Sequence, residues 1–263
     1  MSVVGIELVP DRVMPPEGTI HTYMTQDLHR NLNPNAVAHI VCNRLKLAAM
    51  TYSCASTNGP NRRIIILISG GGSNMRAILK TAKRDHWHTR YGAAVAAVVS
   101  NQREAGGLVC AQEAGVATHV LSHRDFTDRL SFDLALMRLI DQQDVQGPNQ
   151  VPALIVLAGF MRILSPAFVS HYAGRLLNIH PSLLPAFAGL LTHQRAIDMG
   201  CKFAGATVHH VTAALDHGEI VAQAVVPILA GDDAAGLAAR VLTQEHLLYP
   251  QAIAQWLQAN VSQ

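Results

Sequence analysis

Short aliphatic runs of strand length, alternating with stretches of helical pattern, constrain the fold of this chain more than any other feature. Apolar runs lie at residues 64–68, 93–99, 118–121, 153–157 and 176–179. Between them lie helix-like stretches at 74–83, 107–114, 129–141 and around 166–172. Strands that are apolar throughout are buried on both faces, and strand–helix alternation is typical of a parallel sheet. The sequence therefore predicts an α/β fold whose mainly parallel sheet carries helices on both faces.

The pattern changes after His180. Residues 205–211 and 219–226 are strand-like and are joined by a turn around Asp216, which predicts antiparallel additions at one edge of the sheet. Asp232 and Asp233 then open an Ala-rich helical segment that runs towards Trp256, and we expect Pro250 to interrupt it.

The first 60 residues differ from the rest. They contain several Pro and Asn residues and show no sustained periodicity, apart from an apolar patch at 36–50 that suits one amphipathic turn or helix. Residues 53–63 have the composition of a linker. We therefore expect an N-terminal extension at 1–60, loosely ordered or peripheral, and a catalytic domain at 61–263. A chain lacking residues 1–58 should remain folded and active.

Composition narrows the class of protein. The chain is 49% apolar with a formal charge of +2, which gives no reason to expect a nucleic acid or an anionic membrane as partner. No apolar run approaches the ~20 residues of a membrane helix, and the N-terminus lacks a secretion-signal pattern. The four cysteines have no metal-ligand spacing, as is usual for reduced thiols. We expect a soluble cytoplasmic enzyme.

A glycine-rich loop follows the first core strand, where residues 69–74 read Ser-Gly-Gly-Gly-Ser-Asn. Glycines allow backbone N–H groups to approach an anion, and the following helix adds its positive end. The spacing is neither a P-loop nor a complete dinucleotide fingerprint. The segment is either a phosphate-binding loop or a tight strand-to-helix turn with Ser73 as helix cap, and its position after the first strand favours phosphate.

A candidate acid/base site comes from Asn178, His180 and Asp216. Residues two apart in a strand share a face, so Asn178 and His180 point the same way. An amide can donate to an oxyanion, an imidazole can relay protons at neutral pH, and a nearby carboxylate orients the ring. Residue chemistry alone leaves a structural histidine and a catalytic one equally open.

Two further segments are less specific. Residues 156–166 read Val-Leu-Ala-Gly-Phe-Met-Arg-Ile-Leu-Ser-Pro, which suits one wall of a pocket for a flat heterocycle or an ordinary strand-to-helix connection. Glu245, in the late Thr-Gln-Glu-His sequence, is by itself typical of a solvated helix residue.

Taken together, these motifs resemble the glycinamide ribonucleotide formyltransferases of purine biosynthesis. The resemblance covers roughly three quarters of the chain, from residue 64 to about 256. It rests on Ser-Gly-x-Gly-Ser-Asn, Ala-Gly-Phe-Met-Arg-Ile-Leu, Asn-Ile-His-Pro-Ser-Leu-Leu-Pro, Gly-Ala-Thr-Val-His and Thr-Gln-Glu-His, in that order. It implies a Rossmann-like formyltransferase fold and transfer of a formyl group from 10-formyltetrahydrofolate to the amine of glycinamide ribonucleotide. It also implies no metal, and for the chain itself we expect a monomer or homodimer.

The resemblance assigns residues to three roles. The catalytic trio is Asn178, His180 and Asp216. The residues implied to bind the substrate phosphate are Gly71, Gly72, Ser73, Asn74, Leu242, Thr243, Gln244 and Glu245. The residues implied to bind the folate are Arg129 (the loosest match), Met161, Arg162, Ile163, Leu164, Asn178, Thr212, Ala213, Ala214, Leu215 and Asp216.

The chain also departs from the family. Ala186 follows Leu-Leu-Pro where the family often has Lys or another polar residue, and His217 follows Asp216 where Gly is common. The nearest alternative is formyltetrahydrofolate hydrolase, which has the same trio but gives the formyl group to water. That enzyme typically has His-His-Ser-Phe-Leu-Pro where this chain has His-Pro-Ser-Leu-Leu-Pro at 180–185, and it has a regulatory domain ahead of the catalytic one.

Overall fold

The structure, a computed structural model of the chain, describes residues 40–41, 62–144 and 153–260. The strands are β1 (Ile40–Val41), β2 (Arg62–Ile68), β3 (Ala93–Ser100), β4 (Ala117–Val120), β5 (Leu154–Leu157), β6 (Leu176–His180), β7 (Phe203–His210) and β8 (Ile220–Pro227). The α-helices are α1 (Ser73–Arg84), α2 (Trp87–Tyr91), α3 (Gly106–Glu113), α4 (Arg129–Asp144), α5 (Pro166–His171), α6 (Thr192–Asp198) and α7 (Ala234–Ala259), and a short 3₁₀ turn spans His123–Asp125.

These strands form one mixed sheet with the order β1-β8-β7-β6-β5-β2-β3-β4. From β4 to β6 all neighbours are parallel, whereas β6, β7, β8 and β1 pair antiparallel. The prediction of a mainly parallel sheet with antiparallel additions in the C-terminal part is therefore confirmed. The chain runs from β2 outward to β4 and then returns to the other side of β2 at β5. This reversal makes the crevice between β2 and β5 the topological switch point of the sheet.

The continuous apolar character of β2 follows from burial on both faces. Ile64, Ile66 and Ile68 pack in a core cluster with side chains of α1, α2, α3 and α7. Ile65 and Leu67 pack on the opposite face with side chains of α4 and α5. Burial of each such aliphatic side chain contributes about 1.5–3 kcal/mol, which holds the central strand and the loop after it in place.

The start of α1 differs from the cap proposed from the sequence. Gly72, not Ser73, occupies the N-cap position, with a left-handed φ of 66° and no side-chain cap hydrogen bond. A Cβ atom at Gly72 would lie 3.0 Å from the Cε of Met75 and 3.1 Å from the Cα of Gly107. Both the backbone conformation and the close approach of α3 therefore require glycine at this turn.

The predicted interruption of the last helix at Pro250 is wrong. Helix α7 runs unbroken for 26 residues with Pro250 inside it. Because proline has no backbone N–H, the carbonyl oxygen of His246 lacks its usual helical hydrogen bond. Side chains along one face of α7 are fully buried and offset this loss: Leu237, Val241, Leu248, Tyr249, Ile253 and Leu257.

The N-terminal part of the chain is only partly described. Ile40 and Val41 form the edge strand β1 against β8, so at these two residues the helix suggested for 36–50 is wrong. Arg62 and Arg63 belong to β2 and not to a linker. The other residues of 1–60 lie outside the described residues, and the boundary between an extension and a catalytic domain stays a prediction. Helices α2 and α6 have five and seven residues, too few for a periodic pattern to predict them.

Candidate active site

The candidate site lies at the switch point, where loops leave the carboxyl ends of β2 and β5. The backbone N–H of Ser69 donates to the carbonyl oxygen of Gly159 (3.1 Å). The Ser69 hydroxyl accepts from the backbone N–H of Met161 (2.8 Å) and donates to Oδ1 of Asn101 (2.6 Å). The glycine-rich loop and the predicted pocket wall are thus connected directly, at the place where open α/β sheets bind ligands.

The glycine-rich loop presents the N-terminus of α1. Gly71 is exposed and Ser73 half-buried, so the unbonded N–H groups of the first helical turn lie near the surface. These groups and the positive end of the helix dipole favour an anion. The loop therefore has the chemistry of a phosphate site, although neither Lys nor Arg occurs in it.

Asn74 and Glu245, which the resemblance assigns to the phosphate site, contact each other. The side-chain amide of Asn74 donates to Oε2 of Glu245 at 2.6 Å, and both residues are buried. Glu245 is therefore not the solvated residue that its helical position suggested. Burial raises the pKa of Glu245, while the hydrogen bond from Asn74 and the charge of His180 lower it. The Oδ1 atom of Asn74 is buried without a hydrogen-bond partner among the described residues, which leaves an acceptor for a ligand hydroxyl.

The three residues before Glu245 in α7 are more exposed than Glu245 itself. Leu242 and Gln244 are half-buried, and Thr243 is exposed with its hydroxyl donating to the carbonyl of Ala239 on the same helix. The Tyr249 hydroxyl, one turn after Glu245, lies 3.0 Å from the carbonyl oxygens of both Leu157 and Leu177 and shares its one hydrogen between them. This contact holds α7 against β5 and β6. Glu245 lies one turn earlier on the same face of α7.

The predicted trio does come together. Asn178 and His180 are in β6, and Asp216 lies in the turn between β7 and β8. The Nδ1 atom of His180 is 3.5 Å from Oδ2 of Asp216, and these side chains are only 9% and 7% exposed. The Nε2 atom of His180 is 3.1 Å from the carbonyl oxygen of Phe187. Because both neighbours are acceptors, a neutral ring can donate to only one of them, whereas an imidazolium donates to both.

The turn that carries Asp216 depends on close backbone packing. Asp216 has a left-handed φ of 55°, and its Oδ2 accepts from the backbone N–H of Gly189 at 2.9 Å. A Cβ atom at Gly218 would clash with the carbonyl oxygen of His210. Glycine at 218 is therefore required for the turn that brings the Asp216 carboxylate to His180.

His209 belongs to the site and was missed in the sequence. It lies opposite Asn178 in the β6–β7 register, and its Nε2 is 3.2 Å from the Asn178 side-chain nitrogen and 3.8 Å from Oδ1 of Asp216. Its Nδ1 lies 2.9 Å from the carbonyl oxygen of His210, so the network assigns the ring proton to Nδ1 and makes Nε2 an acceptor for Asn178. Burial lowers the pKa of His209, which keeps the ring neutral. The available signal was the Gly-Ala-Thr-Val-His motif, which ends at this residue.

The residues assigned to a folate vary in exposure. Met161 and Ile163 are large apolar side chains that are 76% and 57% exposed, and Leu215 beside Asp216 is 54% exposed. Arg162 lies over the ring of Phe132 (5.7 Å), and the Leu164 side chain packs in the core. Thr212, Ala213 and Ala214 are exposed. Arg129 begins α4 and is exposed, and among the described residues no hydrogen bond or ion pair connects it to the trio.

A glycine-rich turn at the switch point and a buried His180–Asp216 pair near the end of β6 are the arrangement expected of an α/β enzyme. Comparison with known proteins identifies the family of the chain. The Formyl transferase family matches residues 62–253. The chain therefore belongs to the formyl transferase family.

Individual relatives agree. A phosphoribosylglycinamide formyltransferase of Escherichia coli is 50% identical over 190 residues, which cover 72% of this chain and 84% of that protein. The protein of the same name from Haemophilus influenzae is 42% identical, over 73% of this chain and 85% of its own length. The crystal structure of the Brucella melitensis phosphoribosylglycinamide formyltransferase matches with a TM-score of 0.67 and 48% identity, over 75% of this chain and 96% of that one.

Within residues 40–41, 62–144 and 153–260, no helix is both long and apolar enough to span a bilayer. No group of three or more His, Cys, Asp or Glu side chains in the same ranges is placed to hold a metal ion.

Proposed function

We propose that this protein is a phosphoribosylglycinamide formyltransferase. It moves the formyl group of 10-formyltetrahydrofolate to the amine of glycinamide ribonucleotide in purine biosynthesis. The names of the relatives support this activity. The observation that carries the mechanism is the contact of the His180 ring with the Asp216 carboxylate, beside an Asn178 amide whose partner His209 also lies next to Asp216.

The two substrates bind to different parts of the crevice. The phosphate of the ribonucleotide binds at the start of α1, and the buried Asn74–Glu245 pair faces its ribose side. The folate binds against Met161, Ile163 and the 212–215 segment. Exposed apolar side chains next to an acid/base group suit a flat ring system of this kind, so these residues fit the co-substrate.

When bound, the folate supplies the formyl carbon. One hydrogen of the Asn178 amide goes to Nε2 of His209, and the second is left for the formyl oxygen as that oxygen becomes negative. His180 holds a proton beside Asp216, and its Nε2–H reaches the formyl oxygen by turning from, or being shared with, the carbonyl of Phe187. The substrate amine loses one proton and the departing nitrogen gains one. Asp216 stabilises the positive ring and positions a water for that transfer.

The decisive assay supplies 10-formyltetrahydrofolate to the purified protein with and without glycinamide ribonucleotide. Folate product that appears only with the ribonucleotide establishes the transferase. Product without the ribonucleotide establishes the hydrolase, for which the relatives give no support. No product in either tube contradicts both. We expect His180→Ala to abolish turnover while leaving ribonucleotide binding largely intact, as measured by calorimetry.

We infer a cytoplasmic enzyme that acts on small molecules, without nucleic acid or membrane partners, as a monomer or homodimer.

A further inference from the structure

The segment 186–191, which departs from the family at Ala186, contacts two members of the trio through its backbone. The carbonyl oxygen of Phe187 is 3.1 Å from Nε2 of His180, and the N–H of Gly189 donates to Oδ2 of Asp216 at 2.9 Å. The position of this loop therefore determines what each ring nitrogen of His180 faces. None of its own side chains is needed for these contacts.

The loop has a backbone conformation that requires support. Phe187 and Leu191 both have a left-handed φ of 56°, a region that residues other than glycine rarely adopt. Gly189 between them has φ 81°. The Ser182 hydroxyl holds the start of the loop by donating to the carbonyl of Ala186 at 2.6 Å. The second half is farther from that anchor.

Arg195 of α6 supplies the support for the second half. Its Nη1 donates to the carbonyl oxygens of Ala188 (2.7 Å) and Leu190 (3.2 Å). Its guanidinium carbon lies 5.4 Å from the centre of the Phe187 ring. The loop carbonyls thus point to two different partners. Phe187 faces His180, while Ala188 and Leu190 face Arg195.

We propose that Arg195 is a positioning residue for formyl transfer. It holds the 186–191 loop from the solvent side, so that the Phe187 carbonyl and the Gly189 N–H keep His180 and Asp216 facing each other. Arg195 is exposed and does not touch the trio, so its effect passes entirely through the loop backbone. The expected change in kcat rests on the proposed function, whereas the expected change in the hydrogen bonding of His180 does not.

The kinetic test compares Arg195→Ala with Gln194→Ala. Gln194 is the adjacent exposed residue, and its side chain donates to Asp198 of the same helix. We expect kcat of Arg195→Ala to fall about tenfold or more, with KM for the ribonucleotide within about threefold, because a 1 Å misplacement of reacting groups can cost ~10² in rate. Gln194→Ala should match the parent. Arg195→Gln, which loses the cation–π contact but keeps a donor, serves as a second variant.

The structural test needs no activity. Spectra of protein labelled with ¹⁵N-histidine report the hydrogen bonding of each ring nitrogen, and the His180 signals among the 14 histidines are identified by their loss in His180→Ala. We expect the His180 signals to shift in Arg195→Ala and to stay unchanged in Gln194→Ala. Unchanged His180 signals in Arg195→Ala overturn the proposal. If the parent enzyme is active, three kinetic results also overturn the proposal. These are a kcat of Arg195→Ala within twofold of the parent, a change in Arg195→Ala that is confined to KM, and an equal loss of kcat in Gln194→Ala. If the parent transfers no formyl group, the proposed function fails and the spectra alone decide the role of Arg195.

Discussion

Replacing Asn178 by Ala tests the proposed oxyanion donor most directly. The Asn178 amide has two hydrogens, one of which goes to Nε2 of His209 at 3.2 Å. The other is the donor we assign to the formyl oxygen. Loss of one such donor typically lowers kcat by ~10²–10³, or about 2.7–4 kcal/mol in the barrier. We expect a loss of this size, with binding of the ribonucleotide retained.

The same substitution has a separate and smaller effect on stability. His209 is only 2% exposed, so removing Asn178 leaves its Nε2 buried without a donor. An unsatisfied buried group costs about 1–3 kcal/mol. For a protein of this size, each kcal/mol lowers Tm by about 2–4 °C. Thermal unfolding measures this term separately from the rate.

His209→Phe is the matched control, because it removes the acceptor and keeps the Asn178 donor. Its kcat should fall less than that of Asn178→Ala, since the amide is misoriented but still present. Steady-state kinetics at saturating folate with varied ribonucleotide gives kcat for the parent and both variants. A kcat for Asn178→Ala within tenfold of the parent, or a larger loss in His209→Phe, would refute the assignment of Asn178 as the donor.

Three further substitutions test other parts of the site. Burial raises the pKa of Glu245 above its usual value, so the folded state holds that proton more tightly than the unfolded state, and stability falls as pH rises from about 4.5 through the raised value. Glu245→Gln is neutral at every pH, so its free energy of unfolding should rise relative to that of the parent as the pH rises, as measured by denaturant unfolding. A difference that is constant from pH 4 to pH 8 would contradict this. Gly218→Ala should lower the free energy of unfolding by about 1–3 kcal/mol and reduce kcat, because its Cβ clashes with the carbonyl of His210; parental values of both would show that the turn adapts. Ser69→Ala removes the bond to the N–H of Met161 and should raise KM for the folate more than KM for the ribonucleotide; equal changes in both would count against a link to the pocket wall.

The sequence alone determined the layered fold. The apolar runs predicted the central strands to within two residues at each end, because burial on both faces leaves a continuous local signal. The motifs around Asn74, Asn178 and Glu245 identified the family, because the chemistry of such a site places a few residue types at fixed spacing. Pro250 was misjudged because a local helix-breaking preference yielded to the buried face of α7.

The tertiary structure alone decided how the site is assembled. Asn178 and His209 are 31 residues apart and become partners only through the β6–β7 register. Asp216 reaches His180 through a turn in which Gly218 packs against the His210 backbone, and Glu245 is buried on a helix that Tyr249 bonds to β5 and β6. The support that Arg195 gives to the 186–191 loop comes mainly from two contacts to backbone carbonyls, which no side-chain pattern encodes. A sequence records which groups are present and which faces are apolar, whereas distances between groups far apart in the chain depend on strand register and turn geometry, which form only when the whole sheet folds.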